Sequence, residues 1–275
     1  MTTIDVIHAD ARTALADLPS CSVQTIVTSP PYFALRDYGI DGQIGLEATP
    51  AAYVVELTAV FREARRVLKD DGTFFLNIGD SYNNFRVQMG PGQGVHGRDR
   101  MNGKPAEKSR RRGWAGLKEK DLIGIPWMVA FALRDDGWYL RQDNIWSKPN
   151  PMPESMRDRT TRAHEYVFMF SKASSYFYDA DAVAEPSRNR RSVWTIETTS
   201  HPGVHYATMP EELATVCILA GSRPGDTVLD PFAGTGTTGA VARRLGRSSL
   251  LIELNPDWCR IAKRRGADMT PPLFA

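Results

Sequence analysis

Apolar positions in the last third of the chain recur at helical and strand periods, with turn residues between them. After Pro210 an apolar stripe at helical spacing runs to Gly221, and glycine commonly ends a helix, so a helix is predicted at about 210–220. The pattern then predicts, in order, a strand at 227–230, a glycine-rich turn, a helix to about 245, a strand at about 249–254 and a last helix capped by Asn255. This β-α-β-α order predicts parallel strands joined by right-handed crossovers.

Two parallel strands cannot make an open sheet covered on both faces, so further strands are expected upstream. Short apolar runs predict strands at about 4–8, 23–29 and 73–79, and closing strands at 138–147 and 166–171. Apolar residues spaced by three and four predict a helix that begins near Pro50 and ends just before Gly72, and another helix is predicted at about 122–135. We expect one α/β sheet whose nucleotide-binding half lies at the end of the chain.

Composition excludes several classes of protein. The 275 residues are 42% hydrophobic and 24% charged, which is ordinary for a globular protein. The longest apolar run, Trp127 to Leu133, has seven residues, whereas a membrane span needs about 20. Because the N-terminus also lacks a signal-peptide pattern, a cytoplasmic protein without membrane contact is expected. Three distant cysteines, Cys21, Cys217 and Cys259, indicate neither a disulfide framework nor a metal site.

The glycine-rich turn carries the first chemical signal. Gly234, Gly236 and Gly239 match the spacing GxGxxG between a strand and a helix, and Glu253 lies 17 residues after Gly236 near the end of the next strand. Glycines let the backbone approach a ligand, and a carboxylate at a strand end can accept hydrogen bonds from ribose hydroxyls. This context favours a nucleotide-type cofactor; the alternative is that the glycines only shape a tight turn.

The residue that ends the preceding strand narrows the choice of cofactor. That strand ends in Asp230 and Pro231 instead of running apolar into the first glycine. A carboxylate there would repel a pyrophosphate, but it can bind the ammonium of an amino-acid-bearing nucleoside, directly or through water. S-adenosylmethionine is therefore favoured over NAD.

The second signal is the segment TSPPY at 28–32, directly after a predicted strand. Its two prolines hold a rigid extended turn that can fix the Pro30 carbonyl towards a site. An exocyclic base amine is a poor nucleophile because its lone pair is delocalised into the ring, so it needs two acceptors for its N–H groups. The Ser29 hydroxyl and the Pro30 carbonyl can supply them while Tyr32 stacks on a base that has left the helix. The alternative is a loop at a strand end in which Tyr32 fills the core.

These segments together resemble a known family. TSPPY, the turn FAGTGTT with Glu253, and HYATMPEEL at 205–213 look like the amino-methyltransferases of DNA in the beta-class motif order, and SPPYFALRDYG is similar to phage and prophage members. The resemblance covers roughly 4–40, 72–80, 121–180 and 200–265. It implies a Rossmann-like S-adenosylmethionine-dependent methyltransferase fold with circularly permuted motif order and a mostly parallel seven-stranded sheet, in a single catalytic domain over 1–275.

The resemblance also implies roles for individual residues. Catalysis is assigned to the SPPY segment, Ser29, Pro30, Pro31 and Tyr32. Asp10 is expected to accept a hydrogen bond from the adenine amino group of the cofactor. Three residues are expected beside its methionine portion: His205, Thr208 and Pro210. The remaining cofactor contacts are assigned to the glycine-rich turn and its acidic partner: Asp230, Phe232, Ala233, Gly234, Thr235, Gly236 and Glu253.

The acceptor base is left between two choices. The resemblance favours N4-cytosine, because Ser before the two prolines is commoner in cytosine-N4 enzymes and adenine-N6 enzymes mostly carry Asp; N6-adenine is the alternative. Carbon-5 chemistry needs a cysteine nucleophile, and the chain has no Pro-Cys dipeptide. An RNA or protein methylase, an NAD-dependent oxidoreductase and a non-catalytic DNA-binding protein stay open as less favoured functions. A homodimer and a cognate restriction endonuclease are expected partners by family analogy alone.

A basic glycine-rich insertion at 83–120 is predicted to contact double-stranded DNA. Residues 86–120 hold ten Lys and Arg against three acids, whereas the whole chain has a net charge of only +2. The predicted contacts are Arg98, Arg100, Lys104, Lys108, Arg110, Arg111, Arg112 and Trp114. A solvated loop is the alternative. Two smaller arginine clusters, at 157–165 and at 188–191 within a predicted recognition element over 180–204, fit either phosphate contacts or ordinary surface structure.

Overall fold

The structure is a computed structural model that describes residues 2–83, 116–198 and 209–267. In these ranges the chain forms eight strands and six helices. They are β1 (Ile4–His8), α1 (Ala11–Asp17), β2 (Val23–Thr28), α2 (Pro50–Val67), β3 (Leu68–Ile78), α3 (Ile125–Asp135), β4 (Tyr139–Ser147), β5 (His164–Ser171), β6 (Val193–Thr195), α4 (Glu211–Gly221), β7 (Thr227–Asp230), α5 (Thr237–Arg244), β8 (Ser248–Glu253) and α6 (Pro256–Ala267).

The strands form one sheet in the order β1-β8-β7-β2-β3-β5-β4-β6. The first five strands of that order run parallel, β5 is antiparallel to both of its neighbours, and β4 and β6 are parallel. The predicted α/β fold with a mostly parallel sheet is confirmed. The predicted count of seven strands is wrong by one, because the described sheet includes β6, a three-residue edge strand too short to leave a periodic signal.

One predicted helix end is also wrong. The helix α2 ends at Val67, and Leu68 turns into extended backbone that pairs with Val23 of β2. Gly72, expected just past the helix, lies inside β3. A Cβ at Gly72 would lie 2.5 Å from the Leu68 side chain and 2.9 Å from the Gln24 carbonyl oxygen, so glycine is required there by close packing within the sheet.

Helices cover both faces of the sheet. On one face α2 buries Tyr53, Leu57 and Phe61 against the strands, together with α1 and α3, and on the other face α4 and α5 bury a second apolar cluster. The central strand β2 is buried along its whole length, with Ile26 in the first cluster and Val27 in the second. Burial on both faces agrees with a strand, VQTIVT, that carries no charged residue.

The connections that leave the neighbouring strands β7 and β2 lead to opposite sides of the sheet. From β2 the chain crosses through α2 to β3, and from β7 it crosses through α5 to β8, on the opposite side of the boundary between β7 and β2. Open α/β sheets bind their ligands at such a switch point, outside the carboxyl ends of the strands. No helix in the described ranges has the length and apolar character needed to cross a bilayer.

Candidate active site

A cavity of about 270 Å³ lies at the switch point. Its wall is built from residues at the carboxyl ends of β1, β8, β7, β2 and β3, which are neighbours in the sheet. The antiparallel strand β5 contributes its first residues at the same edge, opposite the last residues of β4. The wall therefore brings the two sequence signals, TSPPY and the glycine-rich turn, into one concave site.

Each of the three positions in the turn needs glycine for a different structural reason. Gly234 has a φ of +52°, and a Cβ there would meet no protein atom within 4 Å, so the backbone is open to the cavity. Gly236 has a φ of +81°, and a Cβ would lie 2.7 Å from Ala262 Cβ on α6. At Gly239 a Cβ would lie 2.6 Å from Leu251 of β8. The first glycine exposes backbone, whereas the other two permit close packing.

Glu253 ends β8 and faces the same turn. Its two carboxylate oxygens accept hydrogen bonds from the backbone N–H of Gly234 at 2.8 Å and of Asn255 at 2.7 Å. Burial raises the pKa of this carboxyl above its usual value, against the effect of those two donors. Each oxygen keeps acceptor capacity towards the cavity, which suits the predicted hydrogen bonds from ribose hydroxyls.

Asp230 is buried and borders the cavity. Its carboxylate accepts hydrogen bonds from Thr28 Oγ1 at 2.6 Å, from Thr238 Oγ1 at 2.7 Å and from the Phe232 N–H at 3.1 Å, and the residue is 3% exposed. Burial raises its pKa to about 6. Two donors fill Oδ1, whereas Oδ2 takes one donor and keeps acceptor capacity, so binding of an ammonium, directly or through water, stays a prediction.

Asp10 follows β1 and borders the cavity. It caps α1 by accepting from the Arg12 N–H at 2.8 Å, and its carboxylate is also bound by the Arg12 guanidinium, with the shortest distance 2.5 Å. These contacts lower the pKa of Asp10. A charged carboxylate thus stands at the cavity wall, held in one orientation by its own helix and arginine.

The SPPY turn borders the same cavity as the glycine-rich turn. Ser29 is half-buried and Pro30 buried, and both line the cavity. The fully buried Tyr53 of α2 donates its hydroxyl to the Pro31 carbonyl at 2.8 Å, which fixes the turn from below. Gly79 packs against Tyr32, since a Cβ there would lie 2.7 Å from the ring. Tyr32 lines the cavity and also packs against the apolar core.

Sequence reasoning missed a polar network beside Tyr32. The Tyr32 hydroxyl donates to Glu165 Oε2 at 2.6 Å, and Asn77 Nδ2 donates to the same oxygen at 3.0 Å. Lys148 forms an ion pair with the other oxygen, Oε1. Burial and the neighbouring carboxylate of Glu165 raise the pKa of Tyr32 well above its usual value. The position of Asn77 at the end of a strand was a usable signal, but the pairing of Lys148 with Glu165 depends on the antiparallel register of β4 and β5.

The other predicted residues are placed as follows. Phe232, Ala233 and Thr235 line the cavity. Pro210 is the buried N-cap of α4 and is not among the residues that line the cavity, whereas its neighbour Met209 is. Outside the described residues lie the predicted cofactor contacts His205 and Thr208 and the predicted DNA contacts Arg98, Arg100, Lys104, Lys108, Arg110, Arg111, Arg112 and Trp114.

The two smaller arginine clusters make contacts within the chain. Arg159 pairs with Glu154 at 2.5 Å and lies 3.9 Å from the centre of the Tyr82 ring, and Arg162 lies 3.9 Å from Asp80. These contacts favour the intramolecular network over phosphate binding at this cluster. Arg188 pairs with Glu185, and Arg190 stacks over the buried Trp194.

Comparison with known proteins extends the picture. A family model described as DNA methylase, covering N6 and N4 enzymes, matches residues 23–264. The Type II methyltransferase M.SmaI of Serratia marcescens is 50% identical over 267 residues, covering 94% of this chain and 89% of that protein. M.Cfr9I of Citrobacter freundii is 51% identical over 263 residues, covering 94% of this chain and 86% of that protein.

Solved structures agree in fold. A DNA modification methylase of Thermus thermophilus, in complex with S-adenosyl-L-methionine, matches with a TM-score of 0.66 and 28% identity over 97% of this chain and 93% of that chain. The cytosine-N4-specific PvuII DNA methyltransferase matches with a TM-score of 0.73 and 21% identity over 100% of this chain and 89% of that chain. With the family match, the relatives and the site geometry together, this chain belongs to the N6/N4 family of DNA methylases.

Proposed function

We propose that this protein is a site-specific DNA methyltransferase that uses S-adenosylmethionine to methylate the exocyclic N4 amine of a flipped cytosine. The observation that carries the proposal is the single cavity that joins the open backbone at Gly234 to Ser29 and Tyr32. A donor site and an acceptor site must meet in this way for direct transfer between two bound molecules.

The residues at the glycine-rich end fit this cofactor. Gly234 leaves open space at the backbone, Glu253 keeps acceptor capacity for ribose hydroxyls, and the half-buried ring of Phe232 lines the same wall. The carboxylate of Asp10 can accept a hydrogen bond from the adenine amino group while Arg12 holds it in place. When bound, S-adenosylmethionine supplies an electrophilic methyl group on a sulfonium.

The other end of the cavity suits an amine nucleophile. The Ser29 hydroxyl and the Pro30 carbonyl are the proposed acceptors for the two amine protons, which steers the nitrogen towards tetrahedral geometry. Tyr53 anchors the turn through the Pro31 carbonyl, so the acceptors are held by the fold before the base arrives. Tyr32 is held by Glu165 and Gly79 and offers its ring to the base.

The choice of cytosine rests on two supports. Ser29 stands where the resemblance places serine in cytosine-N4 enzymes, and the PvuII enzyme that shares this fold is cytosine-N4-specific. N6-adenine is the second candidate, because the same acceptors suit either exocyclic amine. The homodimer, the partner endonuclease and the DNA contacts of the insertion at 83–120 stay predictions.

Nucleoside mass spectrometry tests the proposal. The protein is incubated with duplex DNA of varied sequence and deuterated-methyl S-adenosylmethionine, and the DNA is then digested to nucleosides. Labelled N4-methylcytosine is the expected product. Labelled N6-methyladenine would refute the cytosine assignment, and labelling of RNA or protein with inert DNA would refute the substrate class. Calorimetric titration with S-adenosylhomocysteine and with NAD checks the cofactor separately.

A further inference from the structure

A chain of hydrogen bonds leads away from the proposed acceptor site. Ser29 Oγ donates to the Tyr32 hydroxyl oxygen at 3.3 Å, and the Tyr32 hydroxyl donates to Glu165 Oε2 at 2.6 Å. Glu165 lies 133 positions after Tyr32 in the sequence, and all three residues line the cavity. The chain starts at the group proposed to hold the reacting amine and ends on a carboxylate.

The donor directions in this chain are consistent. Tyr32 has one hydroxyl proton, and the shorter contact assigns it to Glu165 rather than to Asn77 Oδ1 at 3.5 Å. The phenol oxygen is then left as an acceptor for the Ser29 hydroxyl. Each link therefore donates away from the amine, which is the order that moves a proton outward.

The chain of hydrogen bonds ends on the carboxyl group of Glu165, which has donors on both oxygens. Asn77 Nδ2 and the Tyr32 hydroxyl donate to Oε2, and the Lys148 ammonium donates to Oε1. The side chains of Lys148 and Glu165 are only 18% and 15% exposed, and the ammonium also lies 4.3 Å from the centre of the Trp146 ring. A largely buried ion pair loses hydration and contributes little net stability, so stability alone does not account for this pair on the cavity wall.

We propose that Ser29, Tyr32 and Glu165 form a proton relay for the methyl transfer, an inference that rests on the proposed function. As the amine lone pair bonds to the methyl carbon, the bond from that carbon to sulfur breaks and its electrons stay on sulfur. In the same step the nitrogen, which gains positive charge as the new bond forms, gives one proton to Ser29 Oγ. The Ser29 proton passes to the Tyr32 oxygen, and the Tyr32 proton passes to Glu165 Oε2.

Every proton that moves in this step is accounted for by the base and the three relay residues. The methylated base ends neutral, Ser29 and Tyr32 regain their original forms, and Glu165 becomes a carboxylic acid that later releases its proton to water. Lys148 pairs with the carboxylate before the step, and Asn77 donates to the accepting oxygen and orients it. Glu165 acts through Tyr32 and Ser29, and is a positioning and proton-accepting residue rather than one in contact with substrate.

Single-turnover methylation in H₂O and D₂O tests the relay. The unaltered protein is expected to react more slowly in D₂O, with a curved dependence on deuterium fraction because several protons move together. Glu165→Gln keeps the size of the side chain but cannot take a proton, and Tyr32→Phe keeps the ring but removes the middle link. Each is expected to slow methyl transfer by about 10²-fold, the low end for acid–base catalysis, and to abolish the curvature.

The double variant gives the sharper result. Because both changes break one relay, Glu165→Gln with Tyr32→Phe should be no slower than either alone, whereas independent contributions would multiply. Glu63→Gln is the matched control, since Glu63 pairs with Arg66 on α2 and does not line the cavity. It should leave both rate and isotope effect unchanged.

A second measurement needs no cofactor. The proton in the 2.6 Å bond from Tyr32 to Glu165 should give a downfield hydroxyl resonance in the free protein that is missing in Tyr32→Phe and shifted upfield in Glu165→Gln. If Glu165→Gln lowers the thermal stability so that its rate cannot be interpreted, the rate and isotope effect of Tyr32→Phe alone decide whether the relay exists.

The outcomes separate the two hypotheses. A protein that methylates DNA with no solvent isotope effect, or whose Glu165→Gln variant keeps the full rate, overturns the relay and leaves the proposed function standing. Multiplying losses in the double variant also overturn the relay. A protein that methylates no duplex overturns the proposed function, and the relay with it.

Discussion

Thr28 donates its hydroxyl to Asp230 at 2.6 Å across the boundary between β2 and β7. Thr28 immediately precedes Ser29, and Asp230 opens the glycine-rich turn, so this buried bond joins the acceptor end of the cavity to the donor end. The two residues are 202 positions apart in sequence. This side-chain bond adds to the backbone pairing of β2 with β7 in holding the two parts of the site together.

Thr28→Val keeps the shape of the side chain and removes this donor. Because a buried carboxylate oxygen loses a partner, the free energy of unfolding is expected to fall by about 1–3 kcal/mol. Urea denaturation measures the change, and single-turnover methylation should fall with it. Thr58→Val is the control, since Thr58 bonds the Val54 carbonyl of its own helix at 2.7 Å. Equal stability of the two variants would contradict the role of the Thr28 bond.

The raised pKa of Asp230 predicts a specific pH dependence. Its pKa of about 6 lies above the usual 3.8, so the folded protein holds this proton to higher pH than the unfolded chain. The contribution of Asp230 to stability is therefore greatest below about pH 4 and is lost as pH rises to about 6, by no more than about 3 kcal/mol. Asp230→Asn should remove this component.

Denaturation of the unaltered protein and of Asp230→Asn between about pH 4 and pH 7 measures the contribution of Asp230. The difference between their free energies of unfolding cancels the effects of the other carboxyl groups. That difference should change across the window in favour of the variant as pH rises. A constant difference would mean that Asp230 titrates normally.

Alanine substitutions at two glycines of the turn are expected to have different effects, one mainly on ligand binding and the other mainly on stability. Gly234→Ala places a methyl group in open space at a φ of +52°, so it should cost about 1–2 kcal/mol of stability from the left-handed backbone and weaken binding of S-adenosylhomocysteine. Gly236→Ala would put its Cβ 2.9 Å from the Ala262 Cα, so α6 must move, and about 3 kcal/mol or more should be lost. Calorimetric titration and thermal denaturation separate the two effects.

Ser29→Ala tests the acceptor end alone. Removing one positioned hydrogen-bond partner of the amine should lower turnover by about 10²-fold or more, whereas the affinity for S-adenosylhomocysteine should stay unchanged. Single-turnover rates and calorimetry measure the two quantities. Ser22→Ala provides a matched control, since Ser22 is exposed and its hydroxyl bonds the Pro19 carbonyl. Parallel loss of rate and cofactor affinity would mean that Ser29 is structural.

Many of the strands and helices could be predicted from the sequence because they follow local patterns of residues. The strands β1, β2 and β7 and the helices α2 to α6 follow apolar periodicity and end residues, and the glycine-rich turn follows its spacing. The errors arose where the pattern was short or overridden by packing. The strand β6 has three residues, and Gly72 belongs to a strand because Leu68 is needed to pair with Val23.

The sequence by itself determined the two ends of the site, since SPPY and the glycine-rich turn are contiguous segments whose residue types already limit the chemistry. Only the tertiary structure decided how those ends are joined and what surrounds them. The bond from Thr28 to Asp230 depends on strand order, and the contact of Tyr32 with Glu165 and Lys148 depends on the antiparallel register of β4 and β5. Strand order and register are set by long-range pairing, so residues far apart in the chain become neighbours without leaving a local signal.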